Sequence, residues 1–145
     1  MYTILIADDE KIERNGIKSL ISRFSFPLHM VEAKNGKEAL EYLEANAVDI
    51  LLTDIRMPFM DGLELAKHAR ALKPNLKIII FSAYGEFEYA KKAIGLNVFH
   101  YILKPIDVDE FHSVISKVIQ LCREDEEAKE NHNRMLEGYE KGITY

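Results

Sequence analysis

The chain has 145 residues, of which 48% are hydrophobic and 30% are charged, and its formal net charge at pH 7 is −5. This length suits one domain with a substantial core, and the composition is that of a globular protein rather than a disordered one. The acidic balance argues against direct nucleic-acid binding by this chain, and no apolar run approaches the roughly 20 residues that span a bilayer.

Cysteine usage and the first residues of the chain indicate its compartment. The single cysteine, Cys122, cannot form an internal disulfide, which is typical of proteins in a reducing environment. The sequence MYTILIADDE at residues 1–10 contains no basic leader and no cleavage site, so no signal peptide is predicted. We therefore expect a cytoplasmic protein.

Short apolar runs alternate with longer amphipathic stretches, and this alternation predicts strands and helices. Three of the runs are almost entirely aliphatic, as in parallel strands that are buried on both faces. In the longer stretches, apolar residues recur every three or four positions, which is the helical period. In chain order the predicted elements are a strand at 3–7, a helix at 10–23, a strand at 29–33, a helix at 36–45, a strand at 49–53, a helix at 62–72, a strand at 77–81, a helix at 86–95, a strand at 100–104 and a helix at 108–122.

This alternation predicts an α/β fold with right-handed crossovers and helices on both faces of a parallel sheet. With five strands, the expected order is 2-1-3-4-5, the flavodoxin-like version of the doubly wound fold. Asp61 is placed to cap the helix at 62–72. We expect residues 1–121 to form the domain and residues 122–145 to form a polar helical linker or tail, either a short coiled coil or a solvated helix.

The residues that end the strands are polar, and in such a sheet ligands bind beyond these carboxyl ends, between strands one and three. Asp8 and Asp9 follow strand one, Asp54 follows strand three, Ser82 follows strand four and Lys104 ends strand five. Two carboxylates about 4 Å apart repel each other by about 4 kcal/mol at an effective dielectric of 20. A divalent cation removes this penalty, and oxygen ligands suit Mg²⁺ or Mn²⁺.

A carboxylate beside such a cation can act as a nucleophile toward a phosphoryl group. The three oxygens of the transferring group need cationic and hydrogen-bonding partners, which the cation, Lys104 and the Ser82 hydroxyl with backbone N–H groups can supply. The residues therefore predict phosphorylation of Asp54. A simpler interpretation, in which Asp8 and Asp9 only cap a helix, leaves the third acid unexplained.

Four motifs occur in this order: ADDE at 7–10, DIRMPFMDG at 54–62, SAYGE at 82–86 and YILKP at 101–105. Together they resemble the receiver domain of two-component response regulators, over residues 3 to about 121. The resemblance implies that Asp54 is the phosphoacceptor. It also implies that Asp8 and Asp9 are the acidic pair for Mg²⁺ and that the backbone carbonyl of Arg56 is a further ligand.

The same resemblance assigns roles to residues on the fourth and fifth strands. Ser82 would be the switch hydroxyl, and Lys104 would be the lysine that contacts the phosphoryl group. Tyr101 would be the aromatic side chain that swings inward when the hydroxyl moves toward the phosphate. The peptide bond between Lys104 and Pro105 is expected to be cis, because proline makes that isomer accessible.

The resemblance also implies partners. A sensor histidine kinase would supply the phosphoryl group, and phosphorylation would alter the face formed by residues 85–95, Tyr101 and residues 108–121. The sequence is similar to receivers attached to AraC-type DNA-binding regulators, so the expected output is a separate or missing transcription domain. A homodimer through this face or the tail is a further expectation. The chain would then be a switch and not an enzyme. The alternative function is a Mg²⁺-dependent phosphatase with an aspartyl nucleophile.

Overall fold

The structure of the chain is a computed structural model, which describes residues 1–83 and 95–140, the last four of these through their backbone alone. Its strands are β1 (Tyr2–Ala7), β2 (Leu28–Ala33), β3 (Ile50–Asp54), β4 (Lys77–Ala83) and β5 (His100–Lys104). Its helices are α1 (Lys11–Arg23), α2 (Gly36–Ala45), α3 (Gly62–Leu72) and a C-terminal helix (Val108–Glu140). The helix predicted at 86–95 lies, except for its last residue, outside the described residues.

The five strands form one parallel sheet in the order β2-β1-β3-β4-β5, which confirms the predicted flavodoxin-like fold. Every residue of β3 is buried, because this strand lies at the centre of the sheet and is covered on both faces. This position explains why its sequence is continuously apolar from Ile50 to Leu52 rather than alternating.

The core lies in two layers, one on each face of the sheet. One layer packs α2 and α3 against side chains such as Leu5, Leu51 and Ile78. The other packs α1 and the C-terminal helix against Ile4, Ile6, Ile50, Leu52, Ile79 and Phe81. Successive residues of β1 and β3 alternate between the layers, as the pleat of a strand requires.

Helix boundaries follow from side chains that satisfy the first free N–H groups. The Asp61 carboxylate accepts a hydrogen bond from the Glu64 N–H at 2.8 Å, which confirms the predicted cap of α3. Asn35 does the same for α2, accepting from the Glu38 N–H at 2.7 Å. These caps set where α2 and α3 begin relative to the sheet.

The C-terminal helix is one continuous helix of 33 residues and passes beyond the predicted end at residue 122. Its buried stripe ends at Cys122, so the prediction located the end of the packing rather than the end of the helix. Acidic and basic residues four apart, such as Asp125 with Lys129 and Glu130 with Arg134, favour continuation of the helix. From Arg123 to Leu136 every side chain is exposed, as in a solvated helix.

Two contacts hold the start of this exposed segment against the body of the domain. Lys77 Nζ lies 2.5 Å from the Asp125 carboxylate, and the Tyr2 hydroxyl donates to the Glu126 carboxylate at 2.5 Å. Both receiving residues are on the helix turn that follows Cys122. None of the helices within the described residues combines the length and the apolar character needed to cross a membrane.

Candidate functional site

The carboxyl ends of β1, β3 and β5 bring three of the predicted site residues together. Asp54 is the last residue of β3 and is 7% exposed, while Asp8 directly follows β1 and is fully buried. Lys104 ends β5, and its Nζ lies 3.3 Å from Asp54 Oδ2. The predicted convergence of acids and a lysine at this edge is therefore present in the structure.

Glu13 is a fourth member of the site, which the sequence analysis did not identify. Its Oε2 lies 2.8 Å from Lys104 Nζ. Its carboxylate also belongs with Asp8 and Asp54 to a group in which one oxygen of each carboxylate lies within 4.8 Å of the others. A signal for it exists in the sequence. Glu13 lies four residues before Ile17 and eight before Ile21, which are the buried residues of α1, so it continues their face toward the sheet edge.

Asp9 has a different position from its neighbour. The Asp8 N–H donates to the Ala33 carbonyl at 3.1 Å, so the chain is still paired with β2 at this point. Adjacent residues of an extended chain point to opposite sides, and Asp8 is buried whereas Asp9 is exposed. The structure thus brings Asp8, but not the Asp9 carboxylate, into the group with Asp54, and the role of Asp9 as a metal ligand stays a prediction.

Burial and close contact shift the protonation equilibria of the site. Burial, together with a hydrogen bond to Glu13, raises the pKa of Asp8 from 3.8 to about 8, although the Glu10 N–H opposes this by donating to Asp8 Oδ1 at 2.9 Å. The Glu13 pKa is lowered, chiefly by the same bond to Asp8 and also by Lys104.

In the Asp54–Lys104 pair, burial and the charge of the partner have opposite effects on each pKa. Burial raises the pKa of Asp54, although the nearby Lys104 ammonium opposes the shift. Burial alone would lower the pKa of Lys104, but hydrogen bonding to Glu13 and the charge of Asp54 raise it overall. Lys104 Nζ also lies 4.9 Å from the centre of the Phe81 ring, whose face attracts a cation. Lys104 is therefore a firmly charged ammonium in contact with two acids.

The donor set suits a divalent cation. Asp8 Oδ2 is buried and has no hydrogen-bond donor among the described residues, and it belongs to the group of three carboxylates. An oxygen-only group of this kind fits Mg²⁺ or Mn²⁺ rather than zinc, which favours nitrogen and sulfur ligands. A bound cation would remove the repulsion among these carboxylates and satisfy the unpaired oxygen.

The two predicted switch residues are in contact. Ser82 is fully buried near the end of β4, and its hydroxyl hydrogen-bonds to that of Tyr101 on the neighbouring strand β5. Tyr101 is half-buried and opposes Ile80 in the strand register, so its side chain extends along the sheet toward Ser82. The rest of the SAYGE motif, from Tyr84 onward, lies outside the described residues.

The loop between β3 and α3 folds back tightly behind Asp54. The Gly62 N–H donates to the Ile55 carbonyl at 2.7 Å, and a Cβ at Gly62 would lie 2.1 Å from the Asp54 carbonyl oxygen. The side chain of Arg56 is exposed in this loop. The peptide bond between Lys104 and Pro105 is cis, which confirms that prediction.

Comparison with known proteins agrees with this geometry. The family model for the response regulator receiver domain matches residues 4–116. The uncharacterized transcriptional regulatory protein YesN of Bacillus subtilis (strain 168) is 42% identical over 127 residues, covering 86% of this chain and 34% of YesN. The transcriptional regulatory protein HptR of Staphylococcus aureus (strain N315) is 34% identical over 125 residues, covering 86% of this chain and 49% of HptR. The chain thus spans between a third and a half of these two relatives.

Solved structures of receivers have the same fold. The REC domain of AraT, a response regulator from Geobacillus stearothermophilus, superposes with a TM-score of 0.76 at 42% identity, covering 86% of this chain and 98% of that one. A two-component transcriptional regulator AraC from Clostridium phytofermentans gives a TM-score of 0.70 at 36% identity, covering 83% and 97%. The chain belongs to the family of response regulator receiver domains of two-component systems.

Proposed function

We propose that this chain is a phospho-accepting switch in which Asp54 takes a phosphoryl group from a sensor histidine kinase. The observation that carries the proposal is the position of Asp54, a buried carboxylate in contact with the Lys104 ammonium at the carboxyl edge of the sheet. A lysine at this distance can hold a phosphoryl oxygen on Asp54 without leaving the site.

The transfer step needs little from the protein beyond position and charge. A carboxylate oxygen of Asp54 attacks the phosphorus, and the new O–P bond forms as the N–P bond to the kinase histidine breaks and the imidazole leaves with the electron pair. Lys104 then holds one phosphoryl oxygen by charge and hydrogen bonding. The Ser82 hydroxyl would donate to another once it leaves Tyr101.

Asp8 and Asp54 would hold Mg²⁺, with Asp9 and the backbone carbonyl of Arg56 as further proposed ligands. When bound, the cation supplies positive charge that offsets the charge developing on the phosphoryl oxygens. The same three oxygens need the protein's own donors, and Lys104 and Ser82 are the described residues best placed to provide them.

We infer that the contact between Ser82 and Tyr101 transmits phosphorylation to the surface of the domain. If the Ser82 hydroxyl turns to the phosphoryl group, Tyr101 loses that partner and can change its position on β5. That change would alter the surface formed by β5 and the C-terminal helix. Residues 85–94, which the sequence led us to expect in the same face, lie outside the described part of the chain. A population shift of this kind needs an energy gap of only a few kcal/mol between the two states.

The relatives named above are transcriptional regulators, and we propose the same role for the protein to which this domain contributes. Residues 1–121 would be the receiver unit and residues 122–145 the linker toward an output domain. The kinase is the expected upstream partner, and a homodimer through the β5 surface or the C-terminal helix is the expected assembly. The setting would be the cytoplasm, without direct nucleic-acid contact by this chain.

Incubation with acetyl phosphate and Mg²⁺, followed by intact mass measurement, is the direct test. We expect the wild type to gain one phosphoryl group, with acetate as the leaving group, and we expect Asp54→Asn to gain none. Asp61→Asn is a matched control from the same loop, because asparagine caps a helix as well as aspartate does.

Three other outcomes would contradict the proposal. Labelling that persists in Asp54→Asn would place the phosphoacceptor elsewhere, and no labelling of the wild type by several donors with bound Mg²⁺ would exclude the switch chemistry. Continued turnover of small phosphomonoesters would instead favour the aspartyl-nucleophile phosphatase.

A further inference from the structure

Lys104, the cation of the site, contacts two carboxylates and lies closer to Glu13 than to Asp54. Its Nζ is 2.8 Å from Glu13 Oε2 and 3.3 Å from Asp54 Oδ2. In the unphosphorylated chain, two of the three N–H groups of Lys104 can therefore be engaged by carboxylates. The ammonium that a phosphoryl group needs is thus directed in large part toward Glu13.

Glu13 is able to hold Lys104 and also to release it. It is the third residue of α1, and an acid in the first turn is stabilised by the positive end of the helix dipole. The Glu13 side chain is 30% exposed, compared with 9% for Asp54. A partly exposed ion pair is weak and reversible, so the Glu13 carboxylate can rotate into solvent without a change in the helix.

The charge of the site also opposes an incoming donor. Two carboxylates, Glu13 and Asp54, face the one ammonium of Lys104, and the oxygens of a phosphoryl donor are negative. Glu13 contributes one of these negative charges but, unlike Asp54, it is not the nucleophile. Its charge and its contact with Lys104 therefore act in the same direction, against phosphoryl transfer.

We propose that Glu13 is an acidic restraint on the site: it holds Lys104 and repels the donor until it is displaced, and so it slows phosphorylation of Asp54. This inference rests on the proposed function of Asp54. It makes Glu13 a positioning residue that acts through Lys104.

The test is the initial rate of phosphorylation by acetyl phosphate at saturating Mg²⁺, compared between the wild type and Glu13→Gln. Glutamine keeps the length of the side chain and removes the charge. We expect the variant to react faster, by roughly threefold to tenfold, the scale for one partly exposed charge. Glu10→Gln is the matched control, because Glu10 is an exposed acid next to the same helix and its side chain makes no capping hydrogen bond. It should react within about twofold of the wild type.

A second measurement separates this role from a merely structural one. Calorimetric titration of the unphosphorylated proteins with Mg²⁺ should show weaker binding by Glu13→Gln, because one negative charge is lost near the cation. A loosened site would bind Mg²⁺ more weakly and also react more slowly, whereas the restraint predicts weaker binding with a faster reaction. In a Lys104→Ala background, the effect of Glu13→Gln on the rate should shrink.

The outcomes distinguish this inference from the proposed function. If the wild type is phosphorylated on Asp54 and a folded Glu13→Gln reacts at the same rate or more slowly, Glu13 is no restraint. If the wild type takes no phosphoryl group at all, the proposed function itself fails. Urea unfolding of each variant establishes that the rates compare folded proteins.

Discussion

Gly62→Ala is expected to lower the free energy of unfolding by about 2–4 kcal/mol. A Cβ at this position would lie 2.1 Å from the Asp54 carbonyl oxygen and 2.9 Å from the Ile55 Cα. These are backbone atoms of the central strand and its end, so no side-chain rotation can relieve the overlap. Urea unfolding monitored by circular dichroism measures the loss. Because relief requires the backbone at Asp54 to move, phosphorylation of any folded variant should also slow.

Gly16→Ala is the matched control for this substitution. Gly16 lies within α1, and a Cβ there would meet nothing within 4 Å. Alanine favours a helix interior over glycine, so this variant should gain about 0.5–1 kcal/mol. Equal stabilities of Gly62→Ala and the wild type would mean that the loop after β3 can move away from Asp54 without cost.

Without a divalent cation, the protein is expected to lose about 2–3 kcal/mol of stability between about pH 6 and about pH 8.5. The reason is the buried carboxyl of Asp8, whose pKa rises from 3.8 to about 8 because of burial and its bond to Glu13. The folded state keeps a proton that the unfolded chain has already released. The stabilisation from this proton is complete below about pH 4 and is lost as the pH rises through about 8.

The neighbouring acids do not reverse this direction. The pKa of Asp54 is also raised, chiefly by burial, so it acts with the same sign. The pKa of Glu13 is lowered by its bond to Asp8, and its contribution to stability is lost only as the pH falls through that lowered value. The decline above about pH 6 therefore belongs mainly to Asp8.

Asp8→Asn should abolish most of this pH dependence and make the cation-free protein more stable than the wild type by about 1–3 kcal/mol near pH 8. Asp9→Asn removes the same charge from the adjacent exposed position and should change stability by less than about 0.5 kcal/mol. Urea unfolding at several pH values in the presence of a chelator makes both measurements.

Added Mg²⁺ should make the wild type more stable than Asp8→Asn. Mg²⁺ binding stabilises the folded protein more when its affinity is higher, and Asp8→Asn has lost a carboxylate that would bind the cation. Unfolding curves with and without Mg²⁺ give the comparison. A wild-type stability that does not change between about pH 6 and about pH 8.5 would show that Asp8 is ionised in the folded cation-free protein.

Much of the fold could be predicted from the sequence because local patterns and tertiary packing agree. The buried run before Asp54 predicted a central strand, and Asp61 predicted the start of α3. The end of the C-terminal helix was harder to place. Helix formation after Cys122 depends on local charge pairs and two contacts with the body, whereas the periodic apolar signal reports only burial.

The site was predictable where it depends on strand ends and harder to predict where it depends on helix orientation. Asp8, Asp54 and Lys104 are at the ends of strands, and parallel strands bring their ends to one edge. Glu13 reaches the same edge only because α1 packs with its Ile17 face on the sheet. The close approach of Gly62 to Asp54 depends on the folded conformation of the loop, and no pattern in the sequence predicts it.

The length of the C-terminal helix gives the domain a lever. At 1.5 Å per residue, the segment from Glu126, the last described point of attachment, to Glu140 extends about 20 Å. If the helix tilted by about 10° at Glu126, its C-terminal end would move by about 3.5 Å. Each residue inserted into the segment would turn that end by about 100°, and seven would nearly restore its bearing. The orientation of any segment that follows the helix would therefore depend on the number of residues in the helix as much as on their identity.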